Sequence, residues 1–88
     1  MESADLRIFQ SVAREGSISK AAAKLGYVQS NVTARIQQLE AELGTVLFIR
    51  HNRGVTLSSS GKMLLAYADK IVGLLDEATK AVAASDEP

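Results

Sequence analysis

Eighty-eight residues are enough for one small core and little more, and 47% hydrophobic with 23% charged residues excludes a disordered chain. The absence of cysteine rules out disulfides and thiolate metal sites and agrees with a reducing compartment, while no apolar run approaches the roughly 20 residues of a membrane-spanning helix. Ten basic and ten acidic side chains cancel, but unevenly: residues 16–62 hold Lys20, Lys24, Arg35, Arg50, Arg53 and Lys62 against Glu40 and Glu42, a local +4, between ends of −1 and −3.

A basic middle between acidic ends suits a polarised binder of nucleic acid, because phosphates meet the local potential rather than the total. The same distribution also fits a merely solvated surface. Met1-Glu2-Ser3-Ala4-Asp5 has neither a basic stretch nor an apolar run, so no signal peptide is expected. The first helix is predicted to start at Ser3 as cap, with Asp5 in the first turn, and to stop at Gly16. Leu6, Phe9, Val12 and Ala13 share one face. The second helix, with Ser19 as its expected cap, is short and alanine-rich (Ala21, Ala22, Ala23) and ends at Gly26. Small residues at that density admit a close neighbour, although helix propensity alone also favours them.

The third helix, from Gln29 to Leu43, carries Val32, Ile36, Leu39 and Leu43 at spacings of 4, 3 and 4. At about 100° per residue these fall within roughly 60° of arc and form the predicted buried stripe. Gln29, Ser30, Thr33, Ala34 and Gln37 occupy a neighbouring arc that faces away from the core. Two helices joined through Gly26-Tyr27-Val28 make a helix-turn-helix. Leu47-Phe48-Ile49-Arg50 and Val55-Thr56-Leu57 flank a turn containing Asn52, Arg53 and Gly54, which predicts a β-hairpin, or wing, with a basic tip. Tyr27 and Phe48 are read as core, and His51 as a surface residue without metal partners.

The last helix is expected from a Ser58 cap to about Ala84. Leu64, Ala68, Ile71, Leu75, Ala78 and Val82 form a heptad seam, read as a dimerisation surface. Met63, Tyr67 and Leu74 form a second row, expected to lie on the chain's own core. The plainer alternative is one amphipathic helix packed only in cis. Ser85-Asp86-Glu87-Pro88 reads as a frayed end or linker. The fold class is therefore mainly α: a winged helix-turn-helix of three helices plus hairpin over residues 1–57, then a dimerisation helix and frayed end over residues 58–88.

With these elements in order, the chain resembles the N-terminal DNA-binding region of LysR-type transcriptional regulators. The resemblance rests on Ala21-Ala22 before Leu25, the Gln29–Leu43 helix ending in "LEAELG", the wing "LFIRHNRGVTLS" and Gly61 opening the long helix. It implies a cytoplasmic bacterial regulator that binds double-stranded DNA as a homodimer. In such regulators the third helix lies in the major groove, the wing reaches the minor groove, and a small-molecule effector binds a further C-terminal domain. No cofactor is expected in this chain. Carried over by position, the resemblance assigns base contacts to Gln29, Ser30, Thr33, Ala34 and Arg53, and phosphate contacts to Ser17, Ser19, Asn31, Gln37 and Arg50.

The chain departs from the family pattern at three places. Val28 stands where a capping serine is common, Ser30 where proline is frequent, and Ala34 where arginine is common. Arg35, next to Ala34, projects on the other flank of the stripe and inherits no base contact. Neutral amides and hydroxyls suit base edges: Gln can pair with adenine N6 and N7, and a Thr or Ala methyl can meet a thymine methyl. The same residues are also ordinary on a solvated helix face. The expected target is an interrupted, A+T-rich inverted repeat, with higher oligomers open to the full-length protein and no membrane partner. Catalysis has no support, because a single histidine and no cysteine leave no nucleophile–base pair. The rival reading is a winged-helix protein-interaction and dimerisation module without sequence-specific DNA binding.

Overall fold

The computed structural model describes residues 1–85, so the predicted frayed end at Asp86-Glu87-Pro88 lies outside the described residues. Helix α1 (Ser3–Glu15), α2 (Ile18–Leu25) and α3 (Gln29–Leu43) are followed by strands β1 (Phe48–His51) and β2 (Gly54–Leu57) and by α4 (Ser59–Ala83). The strands form an antiparallel hairpin pairing Phe48 with Leu57 and His51 with Gly54, which leaves Asn52-Arg53 as the turn. Four helices and a two-stranded wing match the expected class. No described helix is long and apolar enough to cross a membrane.

Leu6, Ile8, Phe9 and Val12 of α1 enter a single core with Ala21 and Ala22 of α2, Val32, Ile36 and Leu39 of α3, Leu47, Phe48 and Val55 of the wing, and Ala68 and Val72 of α4. The Phe9 and Phe48 rings pack at 5.2 Å between centroids, tilted by 46°, and so join the first helix to the wing. Ile8 is as deeply buried as its neighbours, although it lies outside the face drawn from Leu6, Phe9 and Val12. Helix α1 is covered on more than one side, so a single amphipathic stripe understates its core face.

Two caps differ from expectation. Glu2, not Ser3, is the N-cap of α1, and its backbone N–H donates to the Asp5 carboxylate. Ser17, not Ser19, caps α2, with its hydroxyl accepting from the Lys20 N–H at 3.2 Å. Starting α2 at Ile18 buries that side chain, which a later start would have left outside the helix. Ser58 does cap α4, accepting from the Gly61 N–H at 3.0 Å.

Helix α4 lies antiparallel to α1, as the Arg14–Asp69 (2.7 Å) and Arg7–Asp76 (2.9 Å) pairs show. It meets the body through its small residues: Gly61 is buried and Ala68 is 0% exposed. A Cβ on Gly61 would stand 2.2 Å from the Leu47 carbonyl oxygen, so only glycine lets α4 start this close to the wing. This corrects the assignment of the two apolar rows. Met63, Tyr67 and Leu74, expected on the core, are 67%, 59% and 63% exposed. Ala68, expected in a seam between subunits, is instead part of the chain's own core. Tyr67 and Leu74 lie roughly 100–120° round the helix from Ala68 and Met63 somewhat further, too far to follow it inward. The outward apolar face is therefore Met63, Tyr67, Ile71, Leu74, Leu75 and Val82, with Ala78 also exposed, while Leu64 is half-buried against the core.

Two further core assignments need correction. Leu43 is exposed, so the buried stripe of α3 ends at Leu39. It borders a mainly apolar groove with Leu47, Met63 and Tyr67. Tyr27 is also exposed: its backbone N–H closes the α2 C-terminus on the Ala22 carbonyl at 2.9 Å, and this turn directs the ring outward.

Candidate nucleic-acid interface

Helix α3 presents its polar residues as its apolar spacing requires. With Val32, Ile36 and Leu39 buried, Ser30, Ala34 and Gln37 are exposed on the opposite side. Gln29 and Thr33 line the flank nearer the wing, with Thr33 half-buried. Asn31 and Arg35 fall on the other flank, because at about 100° per residue position 31 lies well round the helix from 29 and 33. Arg35 is occupied there. Its Nη1 donates to Asp5 Oδ1 at 2.8 Å and ties α3 to the first turn of α1. Arg35 thus holds the helix in place from behind.

Val28, the N-cap of α3, offers no side-chain acceptor. The first-turn N–H groups therefore lack a side-chain cap and add positive potential at the front of the helix.

The wing is fixed from three sides. Glu40 Oε2 accepts from the backbone N–H groups of Leu47 (2.7 Å) and Phe48 (3.4 Å), fastening the entry of β1 to α3. The Leu47 carbonyl accepts from the Ser58 N–H at 2.9 Å, and the Ser58 hydroxyl donates to the Val46 carbonyl at 2.6 Å, which fastens the base of the wing to α4. The Gly16 carbonyl accepts from the Val55 N–H at 3.0 Å, which seats β2 on the α1–α2 turn. Gly54 makes that seat possible. Its φ is 133°, and a Cβ there would stand 2.1 Å from the Gly16 oxygen.

The wing and the front of the helix-turn-helix thereby enclose an open cleft of about 270 Å³, lined by Ser17, Ile18, Ser19, Gln29, Arg50, His51, Asn52, Gly54 and Val55. Four of the predicted contact residues, Ser17, Ser19, Gln29 and Arg50, meet around it. Ser17 and Ser19 share a hydroxyl–hydroxyl bond of 3.0 Å, so Ser17 is a helix cap as well as a cleft residue. Ser30, Ala34 and Gln37 continue the surface along α3, while Asn31 sits on the far flank beside Arg35. Arg53 does not line the cleft. It is exposed on the hairpin turn.

Pairing decides which charges act at this face. Lys24 bonds Glu15 at 3.3 Å and Arg35 bonds Asp5, whereas Lys20, Arg50, Arg53 and Lys62 have no acidic partner within 4 Å among the described residues. Glu40 is turned inward to the wing backbone. The local excess of charge is thus concentrated on α2, the wing and the start of α4.

Three residues that shape this face carried no functional assignment from sequence. Glu40 holds the wing to α3, and its signal was a carboxylate four residues after the buried Ile36, where an acid needs partners. Gly54 shows in the sequence only as a turn residue. His51 accepts at Nδ1 from the Arg53 N–H at 3.2 Å, a contact no spacing rule announces.

The comparisons with known proteins agree with this geometry. The family model described as bacterial regulatory helix-turn-helix protein, lysR family, matches residues 3–62. YusT, an uncharacterized HTH-type transcriptional regulator of Bacillus subtilis strain 168, is 77% identical over all 88 residues, and YofA of the same strain is 58% identical. The chain spans about 30% of the length of these curated relatives. Among solved structures, the CbnR_DBD–DNA complex superposes with a TM-score of 0.91 at 34% identity, covering 99% of this chain and 100% of that one. The BenM_DBD/benA site 1 DNA complex gives 0.89 at 36% identity, covering 94% and 96%.

Proposed function

The chain belongs to the LysR family of bacterial regulatory helix-turn-helix proteins, and from that premise we propose that it is the sequence-reading part of a cytoplasmic transcriptional regulator, binding double-stranded DNA as a homodimer. The observation that carries this reading is a juxtaposition. The uncharged outer face of α3 adjoins, across one cleft, a wing whose Arg50 and Arg53 have no acidic partner among the described residues. Helix α3 enters the major groove, where neutral donors and acceptors distinguish all four base pairs. Gln29, Ser30, Thr33 and Ala34 meet base edges there. Arg53 enters the neighbouring minor groove, whose potential is deepest where A·T pairs narrow it. Ser17, Ser19, Gln37 and Arg50 take phosphates along the cleft and helix, and Asn31 takes one on the opposite strand side.

Residues 1–57 do the reading and residues 58–88 the pairing, although the first turns of α4 also seal the core. The outward face of α4, from Met63 to Val82, is too large an apolar surface for a monomer to leave in water, and a second copy covers it. Two copies present two α3 helices to an interrupted, A+T-rich inverted repeat, with half-sites about one helical turn apart or a multiple of it. The rest of the protein, by the relatives' length, carries the effector-binding domain and any higher assembly.

The test is titration with duplexes selected by the chain from a random pool, at two salt concentrations. Binding weakens with salt if the unpaired cations displace counterions, and a salt-independent affinity contradicts the reading. Thr33→Ala is expected to lose on the order of tenfold on the selected site while keeping its affinity for mixed sequence. Equal loss on both would remove Thr33 from the base contacts.

A further inference from the structure

The wing is anchored at its base, but its reading group sits at the tip. Gly16, Glu40 and Ser58 fix residues 46–48 and 55, whereas Arg53 lies beyond the last paired residues, His51 and Gly54, in a two-residue turn. A long arginine on an exposed turn loses much of its selectivity if the turn itself is free to change form, because the side chain then reaches many positions at similar cost. One polar contact within the turn opposes this. The His51 ring accepts the Arg53 backbone N–H at Nδ1, 3.2 Å away.

The geometry points to His51 as the positioning residue of the wing tip: by accepting the Arg53 N–H, its imidazole holds the turn in the form that aims Arg53 away from the body. Through this contact His51 sets how strongly the protein prefers A·T over G·C pairs beneath the wing.

The chemistry follows from the geometry. A neutral imidazole that accepts at Nδ1 carries its proton at Nε2, so the ring satisfies the turn with one nitrogen and leaves an N–H donor on the other. The contact spans two residues, from a side-chain acceptor to the N–H two positions on. That is the span an asparagine side chain closes in an Asx turn. His51 also lines the cleft beside Arg50 and Gln29, so the ring links the cleft to the tip. Neither Arg53 nor His51 is held by an acidic side chain among the described residues, and inside the turn closed by the His51–Gly54 pair this bond is the side-chain contact to the Arg53 backbone. The same span makes a precise substitution possible. Asparagine at position 51 keeps an acceptor in reach, and alanine removes it.

This assignment rests on the wing reading proposed above, and its test separates the two. The parent protein, His51→Asn and His51→Ala are titrated against two duplexes that share the selected major-groove site and differ only beneath the wing, A·T-rich in one and G·C-rich in the other. The parent favours the A·T-rich duplex and His51→Asn keeps that preference. His51→Ala loses it by about threefold to tenfold, the worth of one hydrogen bond, with affinity for the G·C-rich duplex unchanged and the thermal midpoint down by no more than about 4–8 °C. A merely structural role would instead lower both affinities and the midpoint together. If His51→Ala discriminates like the parent, or His51→Asn fails like alanine, His51 does not position the tip. If the parent binds both duplexes equally, the wing reading itself fails and this assignment falls with it.

Discussion

The two long sides of this molecule handle their arginines in opposite ways. Along the α1–α4 side every arginine is matched: Arg7 with Asp76, Arg14 with Asp69, and Arg35 at the front of α1 with Asp5. On the α2–wing side Lys20, Arg50 and Arg53 stand without acidic partners among the described residues, and the nearby carboxylate, Glu40, is spent on wing backbone. A net charge of zero therefore says nothing about this protein's affinity for a polyanion. Pairing on one side keeps the helices together, and the lack of pairing on the other keeps cations available to phosphates.

The comparison breaks most completely if the unpaired side loses its seat. Gly54→Ala puts a methyl 2.1 Å from the Gly16 oxygen and forces alanine into a φ of 133°. The wing must then lift from the α1–α2 turn. The expected cost is about 2 kcal/mol or more in chemical denaturation, with DNA affinity lost along with it. A Gly54→Ala variant of parental stability would mean that the wing is not seated on Gly16.

The contrast is sharpened by removing one arginine from each side. Arg50→Ala takes away an unpaired cation, so the slope of log affinity against log salt should fall in magnitude by about one. Arg7→Ala takes away a cation already matched by Asp76, and the slope should not move. Filter binding over a salt series reads both. Equal effects of the two substitutions would show that pairing does not decide which arginines reach phosphate.

What the sequence revealed and what it hid divide along similar physical lines. Helix α3 and the hairpin were legible because each announces itself locally. Val32, Ile36 and Leu39 recur at helical spacing, and a basic turn with Asn52 and Gly54 separates two β-prone runs. The cap of α2 falls two residues before the expected Ser19 because Ser17 and Ser19 carry the same local signal, and only the burial of Ile18 chooses between them. The apolar rows of α4 are only partly legible, for a deeper reason: Ile71, Leu75, Ala78 and Val82 of the expected seam do face outward, but Ala68 turns inward and Met63, Tyr67 and Leu74 turn outward. Periodicity shows that two apolar rows exist, but not which row meets α1. Size decides it, since Gly61 and Ala68 allow an approach that Tyr67 would block. Of the residues to which contacts are assigned, Ser17, Ser19, Gln29 and Arg50 converge on one cleft, while Arg53 and Asn31 lie apart from it. The roles of Glu40, Gly54 and His51 are not legible in the sequence because their partners are backbone atoms brought near by the hairpin or by tertiary packing, about which side-chain patterns are silent.

The smallest expected effect concerns the paired side. Asp69 accepts from Arg14 Nη2 and from Gln10 Nε2, both at 2.7 Å, so one carboxylate of α4 clasps two side chains of α1. The Arg14 hydrogen bond, and after it the Gln10 one, holds the Asp69 carboxyl below its ordinary value of 3.8. A group whose pKa is depressed by folding contributes stability above its unfolded value and loses it as pH falls through the folded one. The clasp is therefore fully present at neutral pH and fades only below about pH 4. Both side chains are about half exposed, so solvent screens the pair and its worth stays under about 1 kcal/mol. Asp69→Asn should lower the thermal midpoint slightly at neutral pH and by progressively less as the solution is acidified below about pH 4, while the salt slope for DNA stays that of the parent. A slope that changed with Asp69 would mean that Arg14, once released, reaches phosphate, and that the division between paired and unpaired sides is maintained by Asp69 itself.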